Sequence, residues 1–137
     1  MNVQSGRIIY SPSDLVRYVA SPFASWMDRY NLENPRAITP DEPTEDEKLI
    51  AETGNRHEQA VLAELKASGG NIVEIRRSAS ASKADTVAAI KAQAPVIYQA
   101  ALEDGRFAGY ADFLMLDPAR GVYQVWDTKL ALAPKPY

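Results

Sequence analysis

At 137 residues and 46% hydrophobic content, the chain has the size of one ordinary domain and enough apolar material to bury a core. The absence of cysteine excludes disulfides, thiolate zinc sites, iron–sulfur clusters and cysteine nucleophiles, leaving oxygen atoms and the single imidazole, His57, to bind any metal. A formal charge of −3 does not exclude a nucleic-acid substrate. Asp41, Glu42, Glu45, Asp46 and Glu47 hold five of the eighteen acids, so thirteen acids face fifteen Lys and Arg elsewhere.

No apolar run is long enough to span a bilayer, and the N-terminus lacks the basic start and apolar stretch of a signal peptide, which predicts a cytoplasmic protein without a membrane partner. The first helix is expected from Ser11, with Pro12 at its first turn and Asp14 close behind, to about Tyr30, with an interruption at Ser21-Pro22. Residues 31–43, rich in Pro, Asn and acids, read as a loop. Thr44-Glu45-Asp46-Glu47 is a capping-box pattern that opens a second helix, closed near Ser68 by Gly69-Gly70. A short strand over Asn71–Arg76 and an Ala-rich helix over Lys83–Gln93 follow.

From Val96 the pattern turns to strands: Val96–Leu102, Arg106–Leu116 and Val122–Leu130, separated by the turn sequences Glu103-Asp104-Gly105 and 117–121. The fold class is α+β, with helices packed on a largely antiparallel three-stranded meander. Residues 1–43 form an N-terminal helix and loop, and 44–137 a helix plus the meander. Such a sheet is ordinarily covered by further elements, so the ending suggests a fragment of a longer protein.

A four-residue loop, Pro118–Gly121, pairs Asp117 with Val122 and sets Asp112 opposite Asp127. Alternation then puts Tyr110, Asp112, Leu114, Tyr123, Val125, Asp127 and Lys129 on one face, and Ala111, Phe113, Gln124, Trp126 and Thr128 on the other. Two acids opposed on an apolar face cost several kcal/mol unless compensated, and a divalent cation is one compensation. The competing reading is a register one residue off, which turns one acid to solvent and leaves Lys129 in an ordinary ion pair.

On the second helix, Ile50, Gly54, His57, Val61 and Leu65 make one stripe with Glu58 at its margin, so His57 is expected to point inward. A lone histidine on such a stripe is otherwise a core residue bonded to a carbonyl. Gly54 costs ~1 kcal/mol relative to alanine in a helix, an exchange expected where another backbone passes close. Trp26, Tyr30 and Trp126 are assigned to the core.

Gly54-Asn55-Arg56-His57-Glu58, Gly109-Tyr110-Ala111-Asp112 and Asp127-Thr128-Lys129, with the opening Ser11–Tyr18 helix and the stretch Pro95–Ala100, resemble the RecB-like branch of the PD-(D/E)XK nuclease superfamily. The resemblance covers nearly the whole chain. It implies a restriction-endonuclease-like core, magnesium or manganese held by His57, Asp112, Asp127 and the carbonyl of Thr128, a catalytic Lys129 working with Asp112 and Asp127, and a less defined part for Glu58. The implied activity is phosphodiester hydrolysis of DNA, at single strands or duplex ends, linked to repair. The alternative is a noncatalytic nucleic-acid-binding module of a larger helicase or nuclease assembly.

Two departures stand out. Relatives with an iron–sulfur site carry Cys-Pro where this chain has Ser21-Pro22, so no cluster is expected. The family also continues into a Gln-x-x-x-Tyr helix and a final strand that this sequence does not include, together with expected C-terminal domains.

Overall fold

The computed structural model describes residues 1–78 and 82–129. Leu130, the expected end of the last strand, and the tail after it lie outside them. The chain divides into two compact units, one of Met1–Glu42 with Leu102–Gly109, the other of Pro43–Ala101 with the chain from Tyr110 onward.

The first unit opens with a hairpin not anticipated above. Strands β1 (Asn2–Gln4) and β2 (Arg7–Ile9) pair antiparallel through Asn2↔Ile9 and Gln4↔Arg7. The turn residues Ser5 and Gly6 both have positive φ, 49° and 74°, the conformation that matches a two-residue turn to the twist of its strands. Helix α1 (Pro12–Ala20) and helix α2 (Pro22–Glu33) are separate because Ser21 is extended. Pro22 has no N–H to continue α1, and Ser21 Oγ accepts from Ala24 N at 3.1 Å to start α2. Asp14 accepts from Ser11 N and Oγ, at 2.7 and 2.8 Å, which closes the first turn of α1.

Tyr10 ties β2 to the tip of the later hairpin, donating its N–H to Arg106 O and accepting from Ala108 N, both at 2.8 Å. Gly109 is required in this unit because a Cβ there would lie 2.8 Å from Pro12 Cδ.

The second unit is a three-layer α+β arrangement. Helix α3 (Glu45–Ala67) starts on a reciprocal cap in which Thr44 N donates to Glu47 Oε2 at 2.8 Å and Glu47 N donates to Thr44 Oγ1 at 3.2 Å. Strand β3 (Ile72–Glu74), helix α4 (Ser82–Lys91) and strand β4 (Val96–Asp104) follow, then β5 (Phe107–Asp117) and β6 (Val122–Trp126). The sheet order is β3-β4-β5-β6. Among the described residues it therefore has four strands, the expected set β4-β5-β6 with β3 joined to its edge. β3 pairs parallel with β4, Ile72↔Val96 to Glu74↔Tyr98, because α4 supplies the crossover that a parallel pair needs.

Each face of this sheet has its own core. Leu62, with Val61 and Leu65 of α3, covers Ile72, Val96, Tyr98, Phe113 and Met115. Ala89 and Ile90 of α4 cover Val73, Ile75, Ile97, Ala100, Ala111, Leu114 and Tyr123. Burying these side chains contributes about 25 cal/mol per Å² of apolar surface removed from water. The expected assignment of Trp26, Tyr30 and Trp126 to the core is overturned: 56%, 37% and 56% of their surface is exposed. The stripe on α3 also differs from expectation. Ile50 is exposed and a Cβ on Gly54 would meet nothing within 4 Å, so no backbone passes close there.

Candidate functional site

The last hairpin forms in the expected register, from Asp117↔Val122 to Phe113↔Trp126. Asp117 fixes the loop, its Oδ1 accepting from Ala119 N at 3.0 Å and Arg120 N at 3.3 Å. The ladder stops one pair short of Asp112 and Asp127, whose carboxyls nevertheless lie close enough to shift each other's acidity. Beyond Trp126 the chain bends. Thr128, expected on the opposite face, donates its N–H and its hydroxyl to Asp112 Oδ2 at 3.0 and 3.2 Å. Lys129 Nζ lies 2.6 Å from Asp127 Oδ2.

Strict alternation does not hold around this point. Ala111 packs with Leu114 on the α4 side, while Phe113 faces α3, so the period changes between residues 111 and 114. β4 does the same: Ile97 and Ala100 share the α4 side, and Gln99 between them has φ of +55°. Gln99 thereby joins Tyr98 under α3, where its Nε2 donates to Glu58 Oε1. The predicted face of Tyr110, Asp112 and Leu114 is broken by this phase change.

Glu58 is the α3 side chain brought to the sheet. Its carboxylate is held by Gln99 and by the Tyr98 hydroxyl, and its charge reaches Asp112. Burial, with that neighbouring carboxylate, pushes the Tyr98 hydroxyl up to about 12. His57, one position earlier, is half-buried, and its side chain makes no hydrogen bond among the described residues. Val61, Leu62 and Leu65 set the facing stripe, and Glu58, four residues before Leu62, lies closer to its line than the sequence pattern indicated.

The two aspartates are driven apart in acidity. Burial and the adjacent Asp127 and Glu58 push Asp112 above the usual carboxylate range, against the stabilising Thr128 N–H. Burial opposes ionisation of Asp127 too, but the Lys129 ammonium and the bond from Asp112 outweigh it and hold Asp127 low. Two neighbouring carboxyls that disfavour each other's ionisation are the arrangement that a hard, oxygen-preferring cation relieves, so the donor chemistry fits magnesium or manganese. Asp112 and Asp127 are the two carboxyls that lie together here, with the charge of Glu58 reaching Asp112. Among the described residues no three His, Asp or Glu side chains are gathered closely enough to hold a metal ion by themselves. No described helix is long and apolar enough to cross a membrane.

Sequence reasoning missed Gln99 and Arg77. Arg77 donates from Nε at 2.9 Å and Nη2 at 2.5 Å to Gln99 Oε1, and its guanidinium carbon lies 4.9 Å from the centre of the Tyr110 ring. Nothing in the alternating stretch 96–102 marks position 99 as a break. Compared with protein-family models, with curated proteins and with solved structures, the chain matches none.

Proposed function

We propose that this chain is the core of a RecB-like nuclease of the PD-(D/E)XK type, a magnesium- or manganese-dependent phosphodiesterase acting on DNA strands or ends. The observation that carries the reading is the Asp112–Asp127 pair, brought together just beyond the last rung of a hairpin, with Thr128 bound to one member and Lys129 to the other. Asp112 and Asp127 would hold the ion, helped by the Thr128 carbonyl and, from α3, by Glu58 or His57. When bound, such an ion supplies Lewis acidity at a phosphate oxygen and a more acidic water.

The remaining work falls to the chain's own groups. Hydrolysis forms a bond from water oxygen to phosphorus and breaks the bond to the leaving sugar oxygen, which takes a proton. Lys129, fixed by Asp127, places a positive charge where negative charge accumulates on the equatorial oxygens. Asp127, held ionised, keeps that ammonium in place. Asp112, kept in position by Thr128, completes the acidic side of the site.

One feature favours a noncatalytic nucleic-acid-binding module. Phe23, Trp26 and Tyr30 of α2 form a stacked ladder, centroids 6.2 and 5.4 Å apart, exposed in the manner of base-stacking platforms. Calorimetric titration of manganese into the chain and into Asp127→Ala, both shown folded by circular dichroism, separates the readings. Binding lost in the variant, followed by manganese-dependent cleavage of end-labelled DNA, supports the nuclease. A folded parent that binds DNA but no manganese supports the binding module.

A further inference from the structure

Three polar residues are buried among those described: Ser82, Thr86 and Gln99. The first two satisfy backbone groups. Thr86 Oγ1 donates to Ser82 O and accepts from Ala101 N, while Ser82 Oγ serves Arg76 O, Ser78 O and Ser78 N. Gln99 is different. It is 7% exposed and sits in a strand with a backbone conformation that costs roughly 1 kcal/mol outside glycine, yet its amide bonds only to side chains.

The order of those side chains is fixed by chemistry. A guanidinium has donors only, so the two bonds from Arg77 require the oxygen of the Gln99 amide to face it. The amide nitrogen must then point away, to Glu58 Oε1. Arg77 is itself restrained over the Tyr110 ring, whose hydroxyl is 3.5 Å from Ser82 Oγ. On the other side of Glu58, Gln59 Nε2 donates to the Tyr98 hydroxyl at 2.7 Å, leaving that hydroxyl's proton for the carboxylate. A chain of single-direction bonds thus ends on Glu58.

We propose that Arg77 and Gln99 are positioning residues, a relay that fixes the Glu58 carboxylate in the orientation from which it serves a divalent cation at Asp112 and Asp127. This rests on the metal-dependent reading above. Breaking either link leaves Glu58 with the Tyr98 hydroxyl as its remaining anchor, without changing any group that would touch the ion. Losing a hydrogen-bond partner behind a metal-binding group typically lowers metal affinity roughly 10–100-fold.

The test uses Arg77→Met and Gln99→Asn, the latter because asparagine tolerates positive φ and keeps an amide one methylene too short. Manganese calorimetry is expected to show each variant, and Glu58→Gln, binding at least tenfold more weakly than the parent. The double variant Arg77→Met with Glu58→Gln should be no worse than Glu58→Gln alone. Without metal, the Gln99 side-chain amide in ¹H–¹⁵N spectra should be protected from solvent exchange in the parent and lose protection in Arg77→Met and in Glu58→Leu.

Folded variants with parental manganese affinity, or additive losses in the double variant, overturn the relay. If the folded parent binds no manganese, the metal-dependent reading fails. The amide signal then decides the relay: protection lost in both variants upholds Arg77 and Gln99 as the groups that orient Glu58, and protection kept in both overturns it.

Discussion

Acids are gathered in two kinds of place in this molecule, and the fold treats them oppositely. At the helix starts, Asp14 and Glu47 face donors. Glu47 accepts from the N–H and hydroxyl of Thr44, and Asp14 from those of Ser11 and from the Met1 amino group at 2.6 Å. The Thr44 bonds hold Glu47 below the usual carboxylate range; for Asp14, burial opposes ionisation but these donors and the amino group prevail. At the hairpin end, Asp112 and Asp127 face each other, and one is forced up while the other goes down. The first arrangement is complete without any partner from outside. The second sets two carboxyls against each other although each has a donor of its own, Thr128 or Lys129, and a perturbed pair of that kind is a candidate site rather than a cap.

The largest effect that could break this contrast is on metal binding. At a manganese concentration 100 times its dissociation constant, the parent should gain about 2.7 kcal/mol of stability, seen as a raised Tm. Asp127→Ala should gain none, whereas Asp14→Ala should keep the whole increment. Equal gains in all three proteins would place the ion elsewhere.

Next in size is the cost of each acid without metal. Asp14→Ala removes the acceptor that closes the first turn of α1 and should lose about 1 kcal/mol in urea denaturation. Asp112→Asn removes a like-charge contact while retaining an oxygen for Thr128. Its stability should be equal to the parent's or higher by up to about 1 kcal/mol. A destabilisation as large as that of Asp14→Ala would make Asp112 a structural acid.

The pH dependence sharpens the same comparison. Asp14 has a lowered native pKa, so its contribution is present above the ordinary carboxylate range and is lost as pH falls through the lowered value. Asp112 has a raised native pKa, so the folded state takes up its proton first and the contribution is lost as pH rises through that raised value. Asp14→Asn should therefore flatten acid destabilisation, and Asp112→Asn should steepen it. Denaturant midpoints measured from pH 7 downward decide between these slopes and a common one.

Much of the framework of each unit was legible because it rests on local rules. The loop 118–121 set the register, Thr44 to Glu47 set the start of α3, and Ser21-Pro22 set the break between α1 and α2. The Ser5-Gly6 turn also carries a local signal, a Ser-Gly dipeptide between Val3-Gln4 and Arg7-Ile8. What local rules could not give was phase. The change of side at Gln99 and Asp112 comes from tertiary packing, since two adjacent strands must present Tyr98 and Phe113 to α3 and Ala100 and Ala111 to α4. The parallel pairing of β3 was hidden because a three-residue strand carries almost no pattern.

The smallest effect concerns Gly54, which the sequence made a contact point and the structure leaves open. It lies in α3, one turn before Glu58, with helical neighbours on both sides. A Cβ there meets nothing within 4 Å, and no positive φ demands glycine. Gly54→Ala should therefore recover most of the helix penalty, stabilising the chain by up to ~1 kcal/mol in denaturant titration. Gly109→Ala should do the reverse, because its methyl collides with the Pro12 ring. A loss of stability in Gly54→Ala would mean that another backbone does approach α3 at this turn, and with it the Ile50–Gly54 end of the stripe would join the inward-facing Val61 and Leu65.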